Sequence, residues 1–143
     1  MKKIFLDTSP LIYFLSDDSN FKSKMDKIFL SIAQEVEEVV LSTVTCMEYL
    51  VYPYRQKDDK AIKTLESFIS TEGVTVLDID MATAIKAARI RAEYQHIKTP
   101  DALQLATAWL SGCDLFLTND KQLKQFTEIN CVTVEEWSFC EEV

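Results

Sequence analysis

The sequence KIFLDTSP at residues 3–10 decides the predicted fold, together with LFLTND at residues 115–120. Each stretch begins as a short apolar run that is typical of a buried strand, and each reaches an aspartate, Asp7 or Asp120. A parallel strand that ends in this way presents its carboxylate at the carboxyl edge of a sheet, where α/β proteins bind their ligands. We therefore expect the two aspartates to lie together, although they are far apart along the chain.

The rest of the chain alternates predicted strands with predicted helices. The strands are 2–6, 38–42, 74–77, 115–117 and 131–134, and the helices are 9–15, 19–37, 45–54, 61–70, 80–95, 99–112 and 121–126, before a helical tail. Pro10 and Pro100 are expected at first helical positions, with Thr99 as a cap, and the third of these helices is expected to end near Pro53. This alternation predicts a three-layer α/β/α sandwich around a mostly parallel five-stranded sheet. Residues 1–143 contain no linker or repeat, so we expect one domain.

Composition excludes several classes of protein. No apolar run reaches the ~20 residues of a membrane span, and the N-terminus lacks a signal-peptide core, so we expect a cytoplasmic protein. The four cysteines are widely spaced and accompany a single histidine, His96, which is unlike a zinc site or a disulfide scaffold. We interpret them as free thiols, and a cysteine–histidine catalytic pair stays open without a local feature that supports it.

Four acids are predicted to converge at the carboxyl edge of the sheet. Asp7 and Asp120 follow strands, Glu48 lies about one turn into the helix after the second strand, and Asp101 lies in the first turn of the Thr99–Pro100 helix. Helices that follow parallel strands begin at the same edge where those strands end. The four carboxylates are therefore candidates for one site.

The chemistry of such a site follows from its charge. Four ionised carboxylates repel one another, so some must bind protons unless a cation neutralises them. Mg²⁺ and Mn²⁺ prefer oxygen ligands, and two such ions ~3.5–4 Å apart activate a water and stabilise the leaving oxygen of a phosphodiester. Thr8, Ser9 and Thr118 add hydroxyls that can orient a carboxylate or a water.

Each acid also has a purely structural interpretation. Asp7 and Asp120 are placed to cap the helices that follow them, Asp101 is placed to interact with a helix dipole, and Glu48 can face solvent. For Asp101 and Asp120 taken singly, this interpretation is at least as good as a metal site. The joint placement of all four acids at one edge favours the site.

These residues resemble the PIN-domain family, and within it the VapC-like toxin ribonucleases of toxin–antitoxin pairs. The resemblance rests on DTSPLI at 7–12, Glu48, TPDALQLATA at 99–108 and LTND at 117–120, and it extends from about residue 3 to 134. It implies a Mg²⁺- or Mn²⁺-dependent endoribonuclease with one or two ions, a homodimer, and a small cognate antitoxin. By the same resemblance Asp7, Glu48, Asp101 and Asp120 are metal ligands, and Thr118 is the nearby catalytic hydroxyl. One position departs from the pattern, because Gln122 stands where many relatives carry a further acid.

Acidity is the main objection to an RNA-binding function. The formal net charge is −8, and two bound Mg²⁺ ions would only halve it, whereas nucleic-acid binders usually carry a positive surface. RNA would have to be held by local basic patches, with a solvated helix face as the alternative interpretation of the same residues. The candidate RNA-binding residues are Lys86, Arg89, Arg91, Lys98 and Arg55.

Two other functions remain as alternatives. A PIN-like fold can serve as a non-catalytic protein-binding module, although retention of all four acids argues against it. A Mg²⁺-dependent phosphotransfer or receiver-like domain would use Asp7 as nucleophile, but such domains usually carry a second acid beside it and a lysine on a later loop. Thr8 and Ser9 occupy the adjacent positions here, and Lys121 is a poor substitute for that lysine.

Overall fold

The computed structural model describes residues 2–17 and 19–137 and contains a five-stranded parallel sheet. The strands are β1 (Lys3–Leu6), β2 (Glu38–Ser42), β3 (Val74–Leu77), β4 (Leu115–Thr118) and β5 (Asn130–Thr133). The helices are α1 (Thr8–Leu15), α2 (Lys22–Glu35), α3 (Thr43–Gln56), α4 (Asp59–Ile69), α5 (Met81–Glu93) and α6 (Thr99–Leu110), followed by a 3₁₀ helix, Lys121–Gln125. The predicted α/β class and parallel sheet are confirmed. The predicted helical tail lies largely outside the described residues.

The order of the strands creates a crevice beside the central strand. The sheet runs β3-β2-β1-β4-β5, and all neighbouring strands are parallel. The chain moves outward from β1 to β3, then returns to place β4 on the other side of β1, where Leu6 pairs with Leu117. In sheets of this kind ligands bind outside the carboxyl ends of the strands at the point where the order reverses. Here that point lies between β1 and β4.

Alternating side chains of the strands build a core on each face of the sheet. Ile4 and Leu6 pack with α1, α2, α3 and α4, whereas Phe5 packs with α5 and α6. Strands β2 and β4 divide their side chains in the same way. Both faces are therefore covered by helices, which gives the three predicted layers and explains why the central strands are apolar throughout.

The prolines near the starts of α1 and α6 lie further into the helix than predicted. Helix α1 begins at Thr8, with Asp7 as its cap, so Pro10 occupies the third helical position. Helix α6 begins at Thr99 after Lys98, so Thr99 is not the cap and Asp101 is the third residue. Proline is tolerated at both positions because the first turn of a helix leaves its N–H groups unpaired.

Helix α3 passes through Pro53 instead of ending there. Only one intrahelical hydrogen bond is lost at a proline, and Pro53 is buried, so packing offsets part of that cost. The helix ends one turn later at Lys57, which adopts a left-handed conformation with φ 52°. There the N–H of Asp58 donates to the carbonyl of Pro53 at 2.9 Å, which satisfies the last turn.

The cysteines that the structure describes are free thiols, as predicted. Cys131 is buried, Cys46 and Cys113 are half-buried, and Cys140 lies outside the described residues. Burial raises the pKa of Cys46 and of Cys113, and it raises that of Cys131 to about 12. These thiols stay protonated at neutral pH, which is the opposite of what a nucleophilic cysteine needs. Within the described ranges, no helix has the length and apolar character needed to cross a membrane.

Candidate active site

Asp7 lies at the point where the strand order reverses, and it is held there by uncharged donors. It follows β1 directly, and its side chain is buried, with an exposed fraction of 8%. Thr118, at the end of β4, donates its hydroxyl to Asp7 Oδ2 at 2.8 Å, and the N–H of Thr8 donates to Oδ1 at 2.8 Å. Burial raises the pKa of Asp7, the two donors lower it, and the nearby charge of Glu48 raises it further.

Thr8 connects Asp7 to Glu48. While its N–H donates to Asp7, its Oγ1 hydroxyl donates to Glu48 Oε1 at 2.7 Å. Glu48 is half-buried on α3, which begins directly after β2 and is capped by Ser42. The predicted convergence of Asp7 and Glu48 is therefore present as a hydrogen-bonded link through one residue.

Gln104 lies under this link, and sequence reasoning gave it no role. Its side chain is 1% exposed, and its Nε2 is 3.4 Å from both Asp7 Oδ1 and Thr8 Oγ1. It also donates to Thr45 Oγ1, while Ser42 donates to its carbonyl oxygen. One feature of the sequence pointed to it: an amide interrupts an otherwise apolar stretch of α6, between Ala102 and Leu105.

The pKa of Asp101 is affected by the charges of the other three predicted acids. It is half-buried in the first turn of α6. Burial raises its pKa to about 6, with further contributions from the charges of Asp7, Asp120 and Glu48, against a smaller opposing effect of Lys98. The four carboxylates thus occupy one electrostatic neighbourhood.

Asp120 forms the exposed rim of the site. Its backbone N–H donates to Thr118 Oγ1 at 3.0 Å, so the same hydroxyl binds both Asp7 and the loop that carries Asp120. Its Oδ1 caps the 3₁₀ helix by accepting from the N–H of Gln122 at 2.9 Å. The capping interpretation therefore holds for one oxygen of Asp120, without conflict with a place in the site.

The donor set fits a hard divalent cation. Among the ion pairs of the described residues, none includes Asp7, Glu48, Asp101 or Asp120. Burial raises the pKa of Asp7 and of Asp101, and neighbouring carboxylates raise both further, which a bound cation would relieve. Oxygen ligands suit Mg²⁺ or Mn²⁺. Within residues 2–17 and 19–137 no three acidic, histidine or cysteine side chains already stand in a metal-binding arrangement. The carboxylates are therefore near enough to affect one another electrostatically, but they are not arranged as the ligands of a single ion.

Lys86, one of the predicted RNA-binding residues, has partners within the protein. Its ammonium group forms an ion pair with Glu128 at 2.8 Å and lies 3.8 Å from the centre of the Trp109 ring. The side chain is only 15% exposed. These contacts connect α5, α6 and the loop before β5, so Lys86 contributes to packing, and its predicted contact with RNA stays a prediction.

The other predicted RNA-binding residues are exposed. Arg89 and Arg91 lie on α5, where Arg91 Nε donates to the carbonyl of Ile97 at 3.3 Å. Arg55 lies in the last turn of α3, and Lys98 immediately precedes α6. The positive charge of Lys98 lowers the pKa of Asp101.

Comparison with a family model gives a match over most of the chain. The model of the PIN domain matches residues 4–129. This span includes β1, β4 and all four acids at the carboxyl edge. No curated protein sequence matches the chain significantly.

Solved structures share the fold at low sequence identity. VapBC2 from Rickettsia felis, bound to a DNA fragment from its promoter, gives a TM-score of 0.76 at 15% identity, covering 92% of this chain and 98% of that one. A toxin–antitoxin complex from Klebsiella pneumoniae gives 0.70 at 22% identity, covering 94% and 99%. VapC20 from Mycobacterium tuberculosis, a toxin that cleaves the sarcin–ricin loop, gives 0.70 at 17% identity, covering 89% and 98%.

Proposed function

The chain belongs to the PIN domain family, and on that premise we propose that it is a metal-dependent endoribonuclease, the toxin of a toxin–antitoxin pair. One observation carries the proposal: four carboxylates, from the end of β1, α3, α6 and the loop after β4, share one electrostatic neighbourhood and form no ion pair with another described residue. The structural likeness to VapC20, a toxin that cleaves the sarcin–ricin loop, supports RNA as the substrate.

Asp7, Glu48, Asp101 and Asp120 would hold one or two Mg²⁺ or Mn²⁺ ions. Such an ion activates a water for attack on a phosphodiester and stabilises charge on the leaving oxygen. The residues of the chain prepare the site for it. Thr118 fixes Asp7 through one carboxylate oxygen, and the backbone of Thr8 fixes it through the other, so that Asp7 keeps its orientation through uncharged donors.

Substrate binding would depend on a few exposed cations at the margin of an acidic body. Lys98 lies close enough to Asp101 to lower its pKa, which supports a role for its positive charge in binding the scissile phosphate. Arg89, Arg91 and Arg55 are the remaining exposed candidates. A small basic surface suits a single structured RNA better than it suits indiscriminate RNA binding.

The proposed partners are a second copy of the chain and a small antitoxin, in the cytoplasm. Exposed apolar side chains on two helices fit such interfaces: Met47 is 54% exposed on α3, and Met81 is 73% exposed on α5. The toxin–antitoxin complex from Klebsiella pneumoniae, which shares the fold, supports an antitoxin partner.

The phosphotransfer alternative is weaker in the light of these contacts. Asp7 accepts hydrogen bonds at both of its oxygens, which lowers its reactivity as a nucleophile. Lys121, the candidate lysine for that chemistry, is exposed, and its Nζ lies 3.8 Å from Glu135 Oε2. A non-catalytic binding module would have the same fold, so only a measurement of activity distinguishes it from the nuclease.

The test is cleavage of a pool of structured RNAs with Mg²⁺, with Mn²⁺ or with EDTA, beside Asp7→Asn. Cleavage that needs the metal and is lost in Asp7→Asn would support the nuclease. Asp114→Asn is the matched control, because Asp114 is an aspartate of the same sheet at its opposite edge. Folded protein that binds neither metal nor RNA would leave the binding module.

A further inference from the structure

The amide of Gln104 is oriented by its neighbours. Ser42 Oγ accepts the N–H groups of Val44 at 3.1 Å and Thr45 at 3.4 Å, as the cap of α3. With its lone pairs engaged, the hydroxyl of Ser42 directs its own proton to Gln104 Oε1. The oxygen of the amide therefore faces Ser42, and the NH₂ group faces Asp7.

The NH₂ group serves three acceptors with two protons. One N–H donates to Thr45 Oγ1, and the other is shared between Asp7 Oδ1 and Thr8 Oγ1, each at 3.4 Å. Thr8 extends this network of hydrogen bonds, because its hydroxyl donates to Glu48. A directed chain of donors thus runs from the start of α3 through Gln104 to two of the four carboxylates.

The chemical type of this support matters for a cation site. A lysine or arginine in the place of Gln104 would neutralise Asp7 and compete with a metal ion. An apolar side chain would leave Ser42 and Asp7 with unmet hydrogen bonds in a buried place. An amide is a neutral donor, so it can orient Asp7 directly and Glu48 through Thr8 without neutralising either carboxylate. Gln104 also lies one helical turn from Asp101, so the helix that supplies that ligand supplies the support as well.

We propose that Gln104 is the positioning residue of the site, which fixes Asp7 directly and Glu48 through Thr8 for binding of a divalent cation. The inference rests on the proposed function, since it concerns the same site. It adds a residue outside the four acids, with a defined orientation of its amide.

The first experiment measures Mn²⁺ binding by calorimetry in the absence of RNA. Gln104→Met, which is similar in size and lacks both polar groups, should weaken Mn²⁺ binding about 10- to 100-fold, the usual effect of losing an outer-shell partner. RNA cleavage by this variant should recover as Mn²⁺ is raised beyond the concentration that saturates the wild type. Gln34→Met, a change of the same kind at an exposed position of α2, should leave Mn²⁺ affinity unchanged.

The second experiment uses the wild-type chain and is informative even if Gln104→Met does not fold. By NMR the two Nε2 protons of Gln104 should exchange slowly with water and should shift when Mg²⁺ is added, whereas those of Gln34 should not. Wild-type affinity in folded Gln104→Met, or Gln104 amide protons that Mg²⁺ does not move while the Thr8 N–H shifts, would overturn this inference alone. Absence of both metal binding and cleavage in the wild type would overturn the proposed function with it.

Discussion

The neighbouring strands β1 and β4 have an aspartate at the amino edge of the sheet, Asp114, and others at the carboxyl edge, and the two edges differ in how these aspartates are stabilised. At the amino edge Asp114 precedes β4 and accepts the N–H groups of Lys2 at 2.9 Å and Lys3 at 3.0 Å. Those backbone hydrogen bonds lower the pKa of Asp114. At the carboxyl edge the pKa of Asp7 and that of Asp101 are raised, first by burial and then by other carboxylates.

The difference separates an aspartate that stabilises the fold from aspartates that form a site. Asp114 is exposed and is matched by donors of the strand next to it, so its charge is favourable without any ligand. The carboxylates at the other edge are brought together at a cost in charge repulsion, which a cation would relieve. The same residue type in the same pair of strands therefore has a structural role at one edge and a proposed functional role at the other.

The largest expected contrast between the edges is in RNA cleavage. Glu48→Gln, Asp101→Asn and Asp120→Asn should each reduce Mn²⁺-dependent cleavage by at least about 100-fold, because loss of a ligand exceeds the usual effect of an outer-shell change. Asp114→Asn should cleave at the wild-type rate. Initial rates on one RNA substrate measure this, and equal losses at both edges would contradict the division.

The next contrast is in stabilisation by metal. Mn²⁺ at one hundred times its dissociation constant should raise the free energy of unfolding of the wild type by about 2.7 kcal/mol. The same concentration should have little effect on Asp101→Asn and its full effect on Asp114→Asn. Thermal unfolding with and without Mn²⁺ is the measurement, with EDTA to confirm reversal.

A smaller contrast is expected in stability without metal. Asp101→Asn should stabilise the metal-free protein at pH 7 by about 1 kcal/mol, after allowance for solvent screening, because it removes a carboxylate whose pKa is raised to about 6. A raised pKa destabilises the folded state where the group is ionised. The gain should therefore be complete above about pH 6 and absent below the ordinary pKa of 3.8. Denaturant unfolding across this pH range is the measurement, and a gain that persists at pH 3 would exclude charge as its cause.

The smallest effect is expected at Asp114. Asp114→Asn should destabilise the protein by about 0.5 kcal/mol at pH 7, since asparagine keeps one acceptor for the N–H groups of Lys2 and Lys3 but loses the charge. The pKa of Asp114 is lowered, so its contribution is present above 3.8 and is lost as the pH falls through the lowered value. Denaturant unfolding at pH 7 and at acid pH should show the difference and then its loss.

The strands and their order along the chain were predictable because the signals are local. Runs such as Ile4–Leu6 and Leu115–Leu117 are short and apolar, and they stand between charged or turn residues. Their pairing into one parallel sheet follows from the helices between them. The same rule predicted that Asp7 and Asp101 lie near each other, and the charge of Asp7 contributes to the raised pKa of Asp101.

The remaining features depend on contacts that the linear sequence does not show. Gln104 resembles any polar residue of a helix until α3 and β1 are packed against it. Lys86 stands in a basic stretch of α5, yet its partners Glu128 and Trp109 come from later elements. Pro53 predicts a helix end by local rules, which the burial of that turn overrides.

The pairing of β4 with β1 has a consequence for synthesis of the chain. A ribosome makes Asp7 and Glu48 early, but Asp101 and Asp120 follow only after all of β3 and α5 have been made. Thr118 is made late as well, and without it Asp7 lacks the hydroxyl that donates to its Oδ2. A nascent chain that has not yet reached β4 therefore lacks Asp120 and the strand that pairs with β1 on that side. Under the proposed function, we expect no RNA cleavage from a chain that ends before β4, since Asp120 and Thr118 have then not been made.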